Sequence, residues 1–303
     1  MGYFALKIKM HLSQQIDKVE YITTKDFKNE YLLPQKPLVI KSISPGASAF
    51  KNWNTNYLKK SVGNLTVDVH DNRIKNSSTT SITKADKKIP FSDYLDIIEA
   101  NNESDYRIFL FNLFKEKPHL RNDFPCPDIF NGLLDKIGYT FFGAKNSNVR
   151  IHYDIDNCNV LHTQFLGRKK ITLFSPDYSE LLYQLPFTTH SIVDFQKIDF
   201  EKYPAVKFVK GYEFILQPGE TLFMPSGFWH YMQYIDAGFA VSYRKLPVRF
   251  SDTLNGINNI VFNLPFDKSM NYLWPQQWSS YKINESHRKA NHILKNYYPL
   301  SAS

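Results

Sequence analysis

The segment Asn148-Val149-Arg150-Ile151-His152-Tyr153-Asp154, with the apolar run Val160 to Phe174 behind it, decides how this chain is read. His152 and Asp154 stand two residues apart. On an extended strand that spacing points both side chains to one face. An imidazole and a carboxylate side by side can fill two positions around a metal ion. His230, in Met224-Pro225-Ser226-Gly227-Phe228-Trp229-His230, is the candidate third ligand. It follows another short apolar strand and a proline turn.

Working outward, the flanking sequence is a series of short strands separated by turns. Arg107 to Asn112, Tyr139 to Phe142, Val160 to Phe165 and Lys170 to Phe174 are expected strands, as are Phe214 to Leu216, Thr221 to Met224 and Phe239 to Tyr243. Leu166-Gly167-Arg168 and Gln217-Pro218-Gly219-Glu220 supply tight turns. Many short strands without long helices between them predict a sandwich or barrel. The N-terminal third is mixed. Lys36 to Lys41 and Leu65 to His70 are expected strands. Ser48 to Lys60 is an expected helix, and a second opens near Pro90 with Ser92 as its N-cap. A short helix is expected near Ile129 to Lys136. Asn76 to Lys88 is polar and is expected to be a loop. After Pro247, Asp252 to Phe262 and Gln276 to Tyr297 are expected helices, divided by Pro265 and Pro275; Pro299 to Ser303 should fray. The expected division is a mixed region over 1–104, a β core over 105–248 and a helical region over 249–303.

Composition narrows the class. Of 303 residues, 43% are hydrophobic and 16% aromatic, enough for a sizeable core and too much for a disordered chain. The formal charge is +8, but the cations are dispersed, which points away from a nucleic-acid stripe. Two cysteines, Cys126 and Cys158, cannot build a disulfide framework, so a reducing, cytoplasmic setting is expected. Met1 to Met10 lacks the pattern of a secretory leader, and no stretch approaches the ~20 apolar residues of a membrane span.

Two histidines and a carboxylate leave open coordination positions, the set associated with non-haem iron(II). A bidentate 2-oxo acid fills two open positions, and its distal carboxylate needs a cation deeper in the pocket. Lys169 is the first candidate and Arg244 the second, since arginine can hold a carboxylate bidentately. Each is otherwise an ordinary surface cation. His162 lies within a strand and is expected to be a core histidine bonded to a neighbour. His190 is placed to face the mouth of the site.

At these residues the sequence resembles the Jumonji-C, or cupin-like, Fe(II)- and 2-oxoglutarate-dependent oxygenases. It is most similar to the small hydroxylases that include the factor-inhibiting-HIF asparaginyl hydroxylase and the tRNA wybutosine hydroxylase. The segments that carry the likeness are His152-Tyr153-Asp154, Gln164 to Pro176, Gly211-Tyr212-Glu213, and Gln217 to Pro225 through Trp229-His230. The resemblance covers about residues 105 to 245. It implies a double-stranded β-helix, or jelly roll, flanked by helices. It implies Fe(II) on His152, Asp154 and His230, 2-oxoglutarate anchored by Lys169, and O2 as oxidant. It implies a homodimer through the C-terminal helices, with Leu254, Ile257, Val261, Trp274, Trp278 and Tyr281 as contacts. Two positions depart from the pattern. Relatives often place a Tyr hydroxyl and a Thr hydroxyl where this chain has Phe109 and Val149. Thr163, Tyr139 or Arg244 are the candidate replacements, with Thr163 preferred.

The expected activity is hydroxylation of an unactivated carbon on a protein or peptide side chain or a small molecule. A modified tRNA base is also compatible. The rival expectations are a cupin with another metal doing isomerase or hydrolytic work, and a binding module without chemistry. The loop Asn76 to Lys88 and the segment Tyr178 to Val209 are expected to shape the entrance.

Overall fold

The computed structural model describes residues 10–71, 79 and 84–297. In the first half the strands are β1 (His11–Gln14), β2 (Asp17–Val19), β3 (Leu38–Ile40), β4 (Thr66–Asp71), β5 (Lys87–Pro90), β6 (Tyr106–Phe111) and β7 (Gly138–Gly143). In the second half they are β8 (Asn148–His152), β9 (Asn159–Leu166), β10 (Lys169–Phe174), β11 (Lys210–Leu216), β12 (Thr221–Met224), β13 (Trp229–Tyr234) and β14 (Gly238–Lys245). The longer helices are α1 (Thr55–Val62), α2 (Phe91–Ala100), α3 (Phe250–Asn258), α4 (Leu264–Leu273) and α5 (Pro275–Tyr297).

The strands form two sheets. One runs β1-β11-β10-β13-β8, and the other runs β2-β3-β12-β9-β14-β7-β6-β4-β5. Together they make the jelly roll, a mainly β fold with helices outside it. Strands from the N-terminal third extend the larger sheet: β3 pairs with β12, and β4 with β6. Between the sheets, Val160, Ile171, Leu173, Leu222 and Met232 fill the inner end of the barrel. On the outer face of the larger sheet, Phe91, Phe142, Phe165 and Phe239 pack ring on ring. That apolar layer holds α1 and α2 to the barrel.

Two turns carry the fold past the site. Gly167 (φ +72°) and Gly219 (φ +90°) adopt the left-handed backbone that a side chain disfavours. The first of these turns lets Lys169 start β10 directly after β9.

Several local expectations are corrected. The helix expected over Ser48 to Lys60 is broken at Trp53, whose backbone is extended (φ −77°, ψ 104°). Its buried indole donates to Asp123 at 2.9 Å, and Asn54 then caps α1 by accepting from the Tyr57 N–H. Ser92 does not cap α2. The helix starts at Phe91, and the Phe91 and Ser92 N–H groups donate to the carbonyls of Leu65 and Gly63. Near Ile129 only the single turn Asp128–Phe130 is helical. Pro265 does not divide the C-terminal helices. A π-type turn at Asn259–Asn263 joins α3 to α4, and Pro265 sits in the first turn of α4, where no N–H is needed. Of the loop expected over Asn76 to Lys88, 76–78 and 80–83 lie outside the described residues, as do 1–9 and 298–303. No helix of the described residues is long and apolar enough to cross a membrane.

Candidate metal centre

β8 and β13 are antiparallel neighbours, and His152 lies directly opposite His230. Their ring centroids are 4.2 Å apart. Asp154 follows β8 by two residues, so its side chain returns to the same face. One ligand atom from each of His152, Asp154 and His230 lies within 4.8 Å of the other two.

The surroundings decide which atoms face inward. His152 Nδ1 lies 2.8 Å from the Arg150 carbonyl, and His230 Nδ1 lies 3.1 Å from the Phe228 carbonyl. A carbonyl only accepts, so each Nδ1 carries the proton and each Nε2 presents a lone pair. The Asp154 carboxylate is divided in the same way. Its Oδ2 accepts from Arg244 Nη1 at 2.8 Å, while Oδ1 lies 3.8 Å from His152 Nε2. Two imidazole lone pairs and one carboxylate oxygen therefore converge, each oriented by a partner behind it. This donor set fits a divalent ion with N/O preference such as iron(II).

The electrostatics agree. Burial pushes His152 down to about 3, with the neighbouring His230 adding to the effect, so it is neutral at physiological pH and able to act as a donor to a metal. Burial lowers His230 as well. Burial alone would raise the Asp154 carboxyl, but the Arg244 guanidinium beside it, foremost among its neighbours, holds the acid well below its usual range. Arg244 also donates to Asp156 at 3.1 Å.

The three candidate ligands open into a cavity of about 220 Å³. Lys169 lies in it, 1% exposed. Its Nζ is 3.0 Å from His162 Nε2 and 4.3 Å from the centre of the Tyr234 ring. Burial lowers its pKa to about 7. No carboxylate contacts it among the described residues, so its ammonium form has no counter-ion there. Phe109, Phe141, Val149, Met224 and Met232 supply apolar walls. Arg107 and Arg150 are also in the lining, and Arg150 donates twice to the Ser191 carbonyl. His190 stacks on His152 at 5.5 Å, with its Nδ1 buried and unpartnered. A larger, polar cleft of about 550 Å³ lies between Asn255–Asn263 and Ser175–Ser179, but it contains none of the three ligands.

One expected co-substrate contact is corrected. Thr163 faces away from the cavity and bonds to Thr221 at 2.9 Å. Strand alternation puts its neighbour His162 inside instead. Arg244 is in the lining, where its Nη1 engages both Asp154 and Asp156. Tyr139 packs beneath Arg244, 5.8 Å from its guanidinium carbon. The sequence reading missed Ser242, which reaches the cavity because it lies opposite His162 on β14.

A family model described as a cupin-like domain matches residues 24–271. The chain belongs to the cupin-like, Jumonji-C type family. This cupin-like chain is 29% identical over 239 residues to lysine-specific demethylase 8 of Xenopus tropicalis, covering 75% of the chain and 52% of that protein. It is 31% identical over 245 residues to JmjC domain-containing protein D of Dictyostelium discoideum, covering 71% and 53%. It is 24% identical over 267 residues to tRNA wybutosine-synthesizing protein 5 of Gallus gallus, covering 81% and 82%. The cupin-like chain thus spans about half the length of the first two relatives.

Proposed function

We propose that this chain is an Fe(II)- and 2-oxoglutarate-dependent oxygenase that hydroxylates an unactivated carbon. The observation that carries this reading is the buried, uncompensated Lys169 in the same small cavity as the His152, Asp154 and His230 donors. An ammonium so placed needs an anion. A 2-oxo acid with a distal carboxylate supplies one while its other end reaches the metal.

Iron bound at the three donors would supply oxygen activation coupled to oxidative decarboxylation of 2-oxoglutarate to succinate and CO₂. The chain's own contributions are distinct. His152, Asp154 and His230 would hold the ion, and Arg244 fixes which Asp154 oxygen is free. Lys169 would take the distal carboxylate. The apolar walls exclude water from the reacting carbon.

The proposed prime substrate is a protein or peptide side chain or a small molecule, entering a cavity of about 220 Å³ beside the co-substrate. Among the described residues Asp154 is the only carboxylate in the lining and Arg244 engages it, so none of them there would compensate a methylammonium. That favours hydroxylation as the outcome over lysine demethylation. A tRNA base is the second reading, favoured by the match that spans 82% of the wybutosine-synthesizing relative. The test is oxygen uptake and succinate formation by purified protein with Fe(II) and 2-oxoglutarate. Uptake that depends on both supports the oxygenase. Absence of oxygen uptake on adding Fe(II) and 2-oxoglutarate moves the non-oxygenase cupin ahead. Thr163→Val is expected to leave 2-oxoglutarate affinity within about twofold and to lower stability by about 1 kcal/mol through the lost Thr221 bond. Calorimetry and thermal melting measure the two.

We also propose a homodimer through the C-terminal helices. Leu254, Ile257, Val261, Trp274 and Tyr281 are exposed there, a larger apolar surface than a solvated helix face needs. Trp278 is removed from the expected contact set. It is buried, and it donates to Asp267, which also pairs with Lys282 at 2.6 Å to join α4 to α5. Light scattering at micromolar concentration should give twice the chain mass; the mass of one chain would contradict the dimer. The free thiols Cys126 and Cys158 fit the proposed cytoplasmic setting.

A further inference from the structure

The cavity's inner end is built differently from what the sequence led us to expect. Phe109 and Val149 present only carbon to it, so no hydroxyl at those positions steadies Lys169. Instead three buried polar side chains form a chain of contacts. Lys169 Nζ meets His162 Nε2 at 3.0 Å, and His162 Nδ1 meets Ser242 Oγ at 2.7 Å. The first contact crosses from one sheet to the other. The second lies within the larger sheet, where His162 and Ser242 are register partners. Exposure is 1% for Lys169, 3% for His162 and 2% for Ser242, so water does not share these bonds.

The directions of the bonds follow from the donors. In its ammonium form Lys169 only donates, so His162 Nε2 then accepts from it, and the ring proton sits on Nδ1 and is donated to Ser242 Oγ. Burial, with the Lys169 charge beside it, pushes His162 well below its usual range, which keeps the ring neutral and able to accept. A lysine head carries three donors on a flexible stem. Here one donor is taken by His162, and the Tyr234 ring face lies under the head.

We propose that Ser242 and His162 are positioning residues for Lys169, a relay that aims its ammonium at the distal carboxylate of the co-substrate in place of the hydroxyls missing at Phe109 and Val149. This rests on the 2-oxoglutarate reading above. Ser242 fixes the His162 ring, His162 fixes the lysine, and the lysine reads the acid. The relay therefore acts on one end of the co-substrate only.

The test separates that end from the other. 2-Oxoglutarate and 2-oxobutyrate share the oxo-acid head, but only the first has a distal carboxylate. Both are titrated calorimetrically, without oxygen, into Fe(II)-loaded parent, His162→Phe, His162→Gln, Ser242→Ala and Lys169→Ala. His162→Phe is expected to weaken 2-oxoglutarate about tenfold and to leave 2-oxobutyrate within about twofold. Ser242→Ala should act in the same direction by about threefold. His162→Gln, whose side-chain oxygen can accept from the ammonium, should recover affinity to within about threefold of the parent. The relay is overturned if His162→Phe weakens both acids equally or neither. Should His162→Phe not fold, unchanged selectivity in Ser242→Ala overturns it equally. Lys169→Ala reports on the underlying reading: if that variant keeps full 2-oxoglutarate affinity, the co-substrate assignment itself fails. A damaged Lys169→Ala beside a silent His162→Phe sinks the relay alone.

Discussion

His230→Ala is expected to lower iron(II) affinity by more than about a hundredfold, because it removes a direct donor where outer partners alone are worth 10–100-fold. The fold should survive. His230 lies on β13, held by β10 on one side and β8 on the other, and the apolar layers between and outside the sheets do not involve the metal. Arg244→Ala is the informative companion. Its guanidinium binds Asp154 Oδ2 and Asp156 Oδ1, so its loss frees the ligand carboxylate to turn and to gain a proton. Iron affinity should drop about 10–100-fold, the range for a lost outer partner. Burial favours the protonated acid and Arg244 opposes it, so the variant's iron binding should also fail at a higher pH than the parent's as pH falls. Calorimetric titration of iron across pH, without oxygen, measures both effects. Unchanged iron affinity in His230→Ala would falsify the ligand assignment.

The second large effect concerns Lys169. A charge-assisted bond to a carboxylate is worth roughly 1.5–3 kcal/mol, so Lys169→Ala should weaken 2-oxoglutarate binding by about ten- to a hundredfold. Iron affinity should hardly change, since Lys169 is not among the donors. A pH signature accompanies the mutation. Burial lowers the lysine to about 7 in the free protein. The carboxylate binds the ammonium form, so the folded, ligand-bound state has the higher lysine pKa. Affinity is then fully present below about pH 7 and falls by about tenfold per unit above it, until the bound-state pKa is reached. Lys169→Ala should bind weakly with no such slope. A parent affinity that stays flat well above neutrality would show that no proton is taken up at Lys169.

Many of the strand segments, and the shared face of His152 and Asp154, were legible because they depend on short-range rules; His230 was only a candidate, since its place opposite His152 is a pairing across 78 residues. Strand period places His152 and Asp154 on one face, and a proline turn before a strand singles out His230. The place of Lys169 at the start of a strand was legible from the Gly167 turn. What escaped the sequence depends on parity and on distant register. Thr163 and His162 are neighbours, and a shift of one residue exchanges which of them enters the barrel. Nothing local decides it; the pairing of β9 with β12 and β14 does, across dozens of residues. The same holds for Arg244, whose partners Asp154 and Asp156 lie about 90 positions earlier. The helix break at Trp53 follows from Asp123, a distant acceptor for its indole. Pro265 was misplaced for the opposite reason: the local rule was applied without allowing a π-type turn to absorb the missing bond.

The most direct measurement is a crystal structure of the protein with manganese(II), as an inert mimic of iron, and 2-oxoglutarate. The account predicts the ion between His152 Nε2, Asp154 Oδ1 and His230 Nε2. It predicts the oxo-acid end of 2-oxoglutarate on that ion and the distal carboxylate within hydrogen-bond distance of Lys169 Nζ. An ion held elsewhere, or a distal carboxylate turned away from Lys169, would contradict it.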